Sequence, residues 1–222
     1  MVQHQNNKAI YFAFSIILIL LNCHLAYAAF LSNGFLVTSH YMEFNPKYSK
    51  RHGKIFYPIL ANDNEIMSLK INNTIQHFVK TYATSYNKKT KNAKCESTYD
   101  VRNGSKNYFT VRWTTKCNNT TIRIDSLNFS LQDGNLVAAT EIFSPLAKNF
   151  MPEIVKLSKN NLAADTTWQQ FIKKIKQGDI QLYIFESNWR IVFNSSPGSP
   201  RNIIDAKLPQ YLLRTNHVTI TR

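Results

Sequence analysis

The chain has 222 residues, and its 27 lysines and arginines outnumber its 13 aspartates and glutamates to give a formal net charge of +14. This length is sufficient for one sizeable hydrophobic core, or for a core with a smaller lobe. The charge favours anionic partners, such as cell-wall polymers, phospholipid surfaces or nucleic acid, and disfavours basic ones. Lysines are scattered through the chain, so solubility is a second explanation for the charge.

Residues 1–28 have the pattern of a secretory signal peptide, which predicts a periplasmic or secreted protein. Lys8 is the basic flank, residues 10–21 are the apolar core, and Ala26-Tyr27-Ala28 is a small-x-small cleavage site. An uncleaved membrane anchor is the alternative, but this apolar run is shorter than the roughly 20 residues that a spanning helix needs. No second such run follows, so we expect no transmembrane segment after cleavage.

Cleavage after Ala28 leaves residues 29–222, which we interpret as a single α+β extracytoplasmic domain. Lys8 is the only charged residue of the signal peptide, so the mature net charge is +13. Export makes nucleic acid the weakest of the anionic candidates, and we predict no nucleic-acid partner. Cys23 is lost with the signal peptide, which leaves Cys95 and Cys117 in an oxidising compartment.

The first part of the mature chain predicts two strands and a helix. Residues 35–44 and 54–60 are rich in β-branched and aromatic residues, and Pro58 predicts an edge position or a bulge in the second strand. A helix is predicted to begin at Asn62, with Glu65 completing a capping box, and to continue through Tyr86. Its apolar residues recur at helical spacing, which is typical of core packing.

Residues 94–131 predict a disulfide-linked antiparallel ribbon. Pairing Cys95 with Cys117 decides every other cross-strand pair. One face then carries Cys95–Cys117, Tyr99–Trp113 and Val101–Val111, and the other carries Glu96–Lys116 and Asp100–Arg112. Apolar pairs on one face and opposite charges on the other are what a half-buried ribbon requires.

The ribbon is predicted to continue into a third strand. Asn118-Asn119 suits a tight turn, because Asn tolerates positive φ. The apolar residues change phase between Ile124 and Leu127, which predicts a β-bulge near Asp125-Ser126. Asp133-Gly134 would close this meander, and residues 136–143 would add a further strand.

The last third of the chain predicts two helices and a hairpin. Helical periodicity returns at residues 146–157 and from Trp168 to Ile175, after possible starts at Ser144-Pro145 and at Thr166 or Thr167. Strands at 180–185 and 189–193 form the hairpin. Residues 194–201 form a loop rich in Ser and Pro, before a short strand at 203–204 and a helix around 208–213.

No motif of catalysis or metal binding is found in the sequence. The mature histidines are His40, His52, His77 and His217, and none is paired at metal-ligand spacing. A phosphate-cradling glycine loop and a G-x-S-x-G elbow are both absent. We therefore predict no cofactor and no metal, and a non-catalytic protein. An envelope hydrolase acting on glycan or peptide is the alternative, and it requires two carboxylates, or a histidine and a carboxylate, to converge in a cleft.

The order of elements resembles the extracytoplasmic domain shared by RsiV-type anti-sigma factors, which sense lysozyme, and PdaC-type peptidoglycan deacetylases. The matching segments are Tyr57-Pro58, residues 70–75 (KINNTI), 127–134 (LNFSLQDG), 141–145 (EIFSP) and the closing hairpin at 182–193. The resemblance covers residues 54–213. It implies an antiparallel sheet meander with helices packed on one face, and a binding role at the cell envelope.

The resemblance also implies where a ligand would bind, since the sensor branch binds lysozyme with loops that include the one after the final hairpin. That loop corresponds to Ser195, Ser196, Pro197, Gly198, Ser199, Pro200 and Arg201. The family's Gly-Ala-His-Gly segment is absent, as are sigma-binding and deacetylase parts. Lysozyme is itself basic, so the charge of this chain argues against it as the partner.

These observations predict an exported binding domain that recognises a cell-envelope polymer or another exported protein. Trp189 and Arg190 are candidate surface contacts beside the loop 195–201, and the basic connection 88–94 is an electrostatic contributor. Core packing is the alternative for Trp189, and a solvated face is the alternative for Arg190. A secreted effector-like factor is a further alternative, for which the sequence offers only export and charge.

Overall fold

The computed structural model describes residues 29–30, 34–44, 53–89, 95–103, 107–194 and 202–214. The predicted signal peptide therefore lies outside the described residues. The fold is α+β, with two sheets that are almost entirely antiparallel, several helices and one disulfide, which confirms the predicted class. No helix in these ranges is long and apolar enough to cross a membrane.

The first sheet contains six strands that lie side by side in chain order. They are β1 (Ala29–Phe30), β2 (Leu36–Phe44), β3 (Gly53–Ala61), β4 (Cys95–Asn103), β5 (Tyr108–Cys117) and β6 (Thr120–Ser130). Neighbouring strands are antiparallel except β3 and β4, which are parallel. A parallel pair needs a crossover connection, and helix α1 (Glu65–Lys89) provides it.

The predicted ribbon is confirmed pair by pair. Cys95 lies opposite Cys117, and the register continues without a slip to the pairing of Asn103 with Phe109. The two cysteines form the predicted disulfide, and both are buried. Asn118 and Asn119 both adopt positive φ in the turn between β5 and β6, as the sequence predicts.

The position of Pro58 explains how a proline fits inside the sheet. Pro58 pairs with Ser39 of β2, but the pairing of β3 with β4 covers only residues 53–55. The second half of β3 therefore has a strand partner on one side only within the described residues. A missing backbone N–H is tolerated there, which fits the predicted edge position.

The start of α1 differs from the prediction by two to three residues. Asn64, not Asn62, is the N-cap, because its side-chain oxygen accepts a hydrogen bond from the N–H of Met67 at 3.0 Å. Asn62 instead exchanges two hydrogen bonds with the Ser68 hydroxyl. Glu65 lies in the first helical turn, where a carboxylate still interacts well with the helix dipole.

The bulge in β6 occurs nearer the turn than predicted. Thr115 pairs with Arg123 and Lys116 pairs with Thr121, so Ile122 is the extra residue. The predicted bulge at Asp125-Ser126 is wrong, since the register is continuous there. The apparent change of phase arises because a polar residue, Asp125, points into the core in an otherwise apolar series.

The second lobe, residues 139–214, holds a three-stranded sheet and short helices. Its strands are β7 (Ile180–Phe185), β8 (Asn188–Phe193) and β9 (Ile204–Lys207). Its helices are α2 (Ala139–Ile142), α3 (Met151–Leu157), α4 (Trp168–Lys176) and two 3-10 turns, Pro145–Phe150 and Gln210–Leu212. The predicted hairpin is confirmed, and Glu186 and Ser187 make its turn with positive φ.

Three predictions for this lobe need correction. Residues 136–143 do not form a strand: Leu136 makes only an isolated bridge with Phe129, and α2 follows. The helix predicted at 146–157 is divided into a 3-10 turn and α3, because Pro152 lies at the second position of α3 and cannot donate a backbone hydrogen bond into a preceding turn. The helix predicted around 208–213 is a single 3-10 turn.

The two faces of the first sheet are covered by different elements. Helix α1 packs Ile71, Ile75 and Val79 against one face, where Trp113 and Phe129 are also buried. Strand β7 lies against the other face, across β4, β5 and β6. The second lobe has its own apolar cluster, centred on Phe171, Ile184 and Trp189.

Side chains of the first sheet form hydrogen bonds with the backbone groups along the free edge of β7. The N–H of Ile184 donates to the Thr110 hydroxyl at 3.1 Å, and the carbonyl of Leu182 accepts from the Asn128 amide and the Ser126 hydroxyl, each at 2.7 Å. An unpaired buried backbone group is costly, so these bonds both close the edge and fix the lobes together.

The exposed edge of β6 is closed in a similar way by the second lobe. The side chain of Asn194 donates to the carbonyl of Ile124 and accepts from its N–H, at 2.8 and 2.9 Å. Gln181 accepts from the N–H of Ser126 at 3.3 Å. The two lobes therefore meet through side chains of each lobe that bond to the backbone edge of the other.

Candidate functional site

The residues singled out in the sequence lie in three different environments. The loop 195–201 lies outside the described residues, and of the connection 88–94 only the first two residues are described, as the end of α1. Trp189 is 2 % exposed in the apolar cluster of the second lobe, which is the position that core packing assigns to it. Arg190 is partly exposed beside Asp205.

Arg190 belongs to an ionic network at the junction of the two sheets. Its guanidinium donates to the Asp205 carboxylate at 2.8 Å and to the carbonyl of the same residue at 3.2 Å. Asp205 also accepts from the Tyr183 hydroxyl at 2.5 Å. Burial, together with the hydrogen bond to Asp205, raises the pKa of Tyr183, so this phenol stays protonated as a donor.

The network continues onto the first sheet through Arg112. This residue donates to the Tyr183 hydroxyl at 3.1 Å and makes a two-point contact with Asp100, at 3.0 and 3.2 Å. Burial lowers the pKa of Arg112, but Asp100 and Tyr183 outweigh it and the net pKa is raised. Arg102 also binds Asp100 at 2.8 Å, and its guanidinium lies 4.7 Å from the centre of the Phe185 ring.

Both carboxylates of the network are thus committed to arginines. A general acid or nucleophile needs a carboxylate that can reach substrate, and neither Asp100 nor Asp205 has that freedom. The network therefore joins the two sheets, and Arg190 acts in it as a structural residue.

An open groove of about 350 Å³ lies on the second lobe, on one flank of α4. We call it the aromatic groove; its lining residues are Thr140, Phe143, Ser144, Pro145, Trp168, Ile172, Lys176 and Arg214. Trp168 is partly exposed and is held by the rings of Phe143 and Phe171, at centroid distances of 5.7 and 5.4 Å. A ring fixed in this way is a rigid platform for an apolar surface of a ligand.

Among the described residues, the cations of the aromatic groove have no acidic partner. Arg214 donates one hydrogen bond to the carbonyl of Phe143 at 3.0 Å. Lys176 makes no ion pair within the described part of the chain. Both residues are exposed. No Asp or Glu lines this groove, so its charge is available to an anion.

A second groove of about 380 Å³ lies on the opposite flank of α4. We call it the amide groove; its lining residues are Asn161, Ala163, Asp165, Thr166, Gln170, Lys173, Lys174 and Gln177. It has no aromatic lining. Two lysines face one carboxylate here, and the remaining polar side chains are mostly amides, which both donate and accept hydrogen bonds.

Helix α4 separates the two grooves and is fixed at both ends. Thr167 accepts from the N–H of Gln170, and the Gln170 side chain accepts from the N–H of Thr167, which is a complete capping box. Phe171 and Ile175 are buried beneath the helix. At the other end, Arg123 of β6 donates to the carbonyl of Gly178 at 2.9 Å.

The described residues bring no catalytic set together in either groove. Asp165 is the only acid that lines them, and no His lines either one. No group of three or more His, Cys, Asp and Glu side chains suited to a metal ion occurs in the described ranges.

The sequence predicts α4 but not the grooves beside it. The signal that was overlooked is the run Lys173-Lys174-x-Lys176, which places three cations in the last turn of a short helix without an acid at i−4 or i−3 of Lys176. Arg214 and Ser144 come from distant parts of the chain. Their meeting depends on the bridge between Phe143 and Leu213, which no local pattern indicates.

Comparisons with known proteins give structural neighbours only. No family model matches the chain. No curated protein matches it. Among crystal structures, it is similar to a DUF3298 family protein from Pseudomonas aeruginosa PAO1, with a TM-score of 0.48 and 6 % identity over 84 % of this chain and 97 % of that one. It is also similar to a DUF3298 family member from Bacteroides fragilis NCTC 9343, with a TM-score of 0.47 and 14 % identity over 82 % and 94 % of the two chains.

Proposed function

We propose that the protein is an exported, non-catalytic binding domain of the bacterial cell envelope, and that its aromatic groove holds an anionic envelope polymer. The observation that carries this proposal is the pairing of Trp168 with Lys176 and Arg214 in an open groove that no acid lines. An aromatic face presents negative charge to the weakly positive C–H groups of a sugar ring, and the two cations suit a carboxylate or phosphate on that ring.

The charge of the whole chain supports the same class of ligand. The mature net charge of +13 raises the local concentration of a polyanion near the protein and speeds its association. The effect is screened within about 10 Å at 0.1 M salt, so binding should weaken as salt is added. A basic protein partner such as lysozyme would be repelled, so we favour a polymer over that partner within the RsiV/PdaC-type hypothesis.

Binding is favoured over hydrolysis because the acids at the sheet junction and in the core bind arginines, and the two grooves are lined by one acid between them. Asp100 and Asp205 bind arginines at the sheet junction, and Asp125 is buried against Arg123. Asp165 lines the amide groove alone. A glycosidase requires two carboxyl groups on either side of the bond that it cleaves.

A pull-down with isolated peptidoglycan that retains its anionic polymers tests the proposal. We expect retention at 50 mM salt, and a severalfold loss at 500 mM salt or after the anionic polymers are stripped from the wall. The variant K176Q/R214Q should bind severalfold less than wild type. K116Q/K156Q removes two exposed lysines that line neither groove, and is the charge-matched control. Equal retention of both variants, or no retention at either salt, would refute the proposal.

Export is tested separately by sequencing the N-terminus of protein recovered from outside the cytoplasm. We expect the mature chain to begin at Ala29. Recovery of an intact Met1 or of cytoplasmic protein alone would contradict an envelope role, whatever the grooves bind in vitro.

A further inference from the structure

We propose that the ligand is an extended polymer that crosses α4 and fills both grooves at once, so that a single repeat unit is not sufficient. This inference rests on the proposed function and adds a requirement for chain length. Its basis is the juxtaposition of two chemically different grooves on the two flanks of one short helix.

Two cations line each of the grooves. Lys174 and Lys173 line the amide groove, and Lys176 and Arg214 line the aromatic groove. Lys173 and Lys176 are three residues apart on α4, so their Cβ atoms are about 5–6 Å from each other on the helix surface. None of the three lysines makes an ion pair with another residue in the described part of the chain.

Like charges at this spacing repel each other and destabilise a helix. Their interaction with the negative end of the helix dipole offsets part of that repulsion, since all three lie in the last turn of α4. That explanation accounts for the lysines of α4. It does not account for Arg214, which is on a different segment and lines the same groove as Lys176.

The two grooves differ in a way that suits the alternating parts of one chain. The aromatic groove offers the face of Trp168 beside Ile172 and Pro145, which suits an apolar ring face. In the amide groove the Asn161 amide is already fixed by bonds to the carbonyls of Phe193 and Asn202, which positions the groove wall. Gln177 is exposed there and presents an amide to solvent.

The distance between the grooves is set by the helix that divides them. An α-helix with its side chains is about 10–12 Å across, so the groove centres are on the order of 10 Å apart. A ligand must be at least that long to reach both. Once one part is bound, the second groove binds at a high effective concentration, which multiplies affinity without any new contact.

The test measures binding of soluble fragments of the anionic wall polymer, released from the same wall preparation and sized to one, two and four repeats, to the mature protein. Quenching of Trp168 reports on the aromatic groove, because Trp113 and Trp189 are both buried. We expect affinity to rise at least tenfold from one repeat to four, through occupation of the second groove. Thermal unfolding of each variant, compared with wild type, shows whether it is folded.

Two double variants, each of which removes two positive charges, then separate the grooves. K173Q/K174Q should reduce the gain in affinity between one repeat and four, whereas K176Q/R214Q should weaken the binding of every length, including one repeat. K116Q/K156Q is again the control. If one repeat binds as tightly as four, or if K173Q/K174Q weakens every length equally, the two-groove inference is wrong and the proposed function stands. If no fragment and no intact wall binds, both are wrong.

Discussion

The buried ion pair between Arg123 and Asp125 allows a sharp test of what stabilises the first lobe. Asp125 points into the core between α1 and the sheet and is 1 % exposed. Arg123 contacts its carboxylate through Nε and Nη2, at 2.8 Å. Replacing Arg123 with Met retains an unbranched side chain like the apolar stem of Arg. It removes the only guanidinium that touches this carboxylate within the described residues.

We expect R123M to lower the free energy of unfolding by about 3–5 kcal/mol at pH 7.5, because it leaves a buried charge without its partner. Part of this loss is the hydrogen bond from Arg123 to the carbonyl of Gly178, which is worth about 1.5–3 kcal/mol for a charged donor and does not depend on pH in this range. The remainder depends on whether Asp125 is ionised.

The sign of the pH dependence follows from the position of Asp125. Burial raises the pKa of Asp125 above its ordinary 3.8, and Arg123 is the main group that opposes this shift. Removing Arg123 raises the folded-state pKa further. Above that pKa the penalty is present in full, and below 3.8 the carboxyl is neutral in both states and the penalty vanishes. The difference between wild type and R123M should therefore shrink as pH falls from 7.5 toward 4.5.

Urea unfolding of wild type, R123M and R123M/D125L at both pH values decides the matter. The double variant removes both charges. The nearby Tyr82 hydroxyl is not left without a partner, because it keeps its hydrogen bond to Thr115 at 2.7 Å. We expect it to recover most of the pH-dependent loss, since a buried ion pair can often be exchanged for apolar residues at little cost. A loss in R123M that is the same at both pH values, or a double variant no more stable than R123M, would refute the reasoning.

Three further predictions concern the sheet and its junction with the second lobe. Replacing Cys95 and Cys117 with Ala should lower the free energy of unfolding by about 3 kcal/mol, from the chain entropy of the 22-residue separation that the disulfide closes, as measured in urea. N119A should cost about 1 kcal/mol because Asn119 has a φ of 65°, while N119G should be nearly neutral in the same assay. T110V should cost about 1–3 kcal/mol, because it leaves the N–H of Ile184 without an acceptor, and T110S should restore most of that loss.

The ribbon could be predicted to the residue because two independent constraints fix its register. The alternation of apolar and charged residues and the pairing of Cys95 with Cys117 require the same alignment, and a slip of one residue would violate both. The bulge could not be placed from the same pattern. Asp125 is buried at a position where an apolar residue is expected. The alternation of apolar residues is therefore interrupted at Asp125, although the pairing of β5 with β6 is regular there.

The candidate site could not be predicted because its parts meet only through tertiary contacts. Trp168 lies on a predicted helix, yet its exposure depends on how Phe143 and Phe171 hold it. Arg214 reaches the aromatic groove because the segment around Leu212 bonds to the N–H of Ser144 at 2.7 Å. At the strand edges that join the lobes, side chains rather than a neighbouring strand bond to the backbone. The spacing of apolar residues in the sequence does not indicate such bonds.

The way in which the lobes join leaves the cations around α4 without an acidic partner among the described residues. One face of the first sheet is covered by α1 and the other by β7. The arginines of β4 and β5 form ion pairs with Asp100 at the junction with β7. Helix α4 is beyond this contact, and its C-terminal end is tied back to β6 by the bond from Arg123 to Gly178. The grooves therefore combine unpaired charge with a rigid support, so that binding a polymer need not order the surface first.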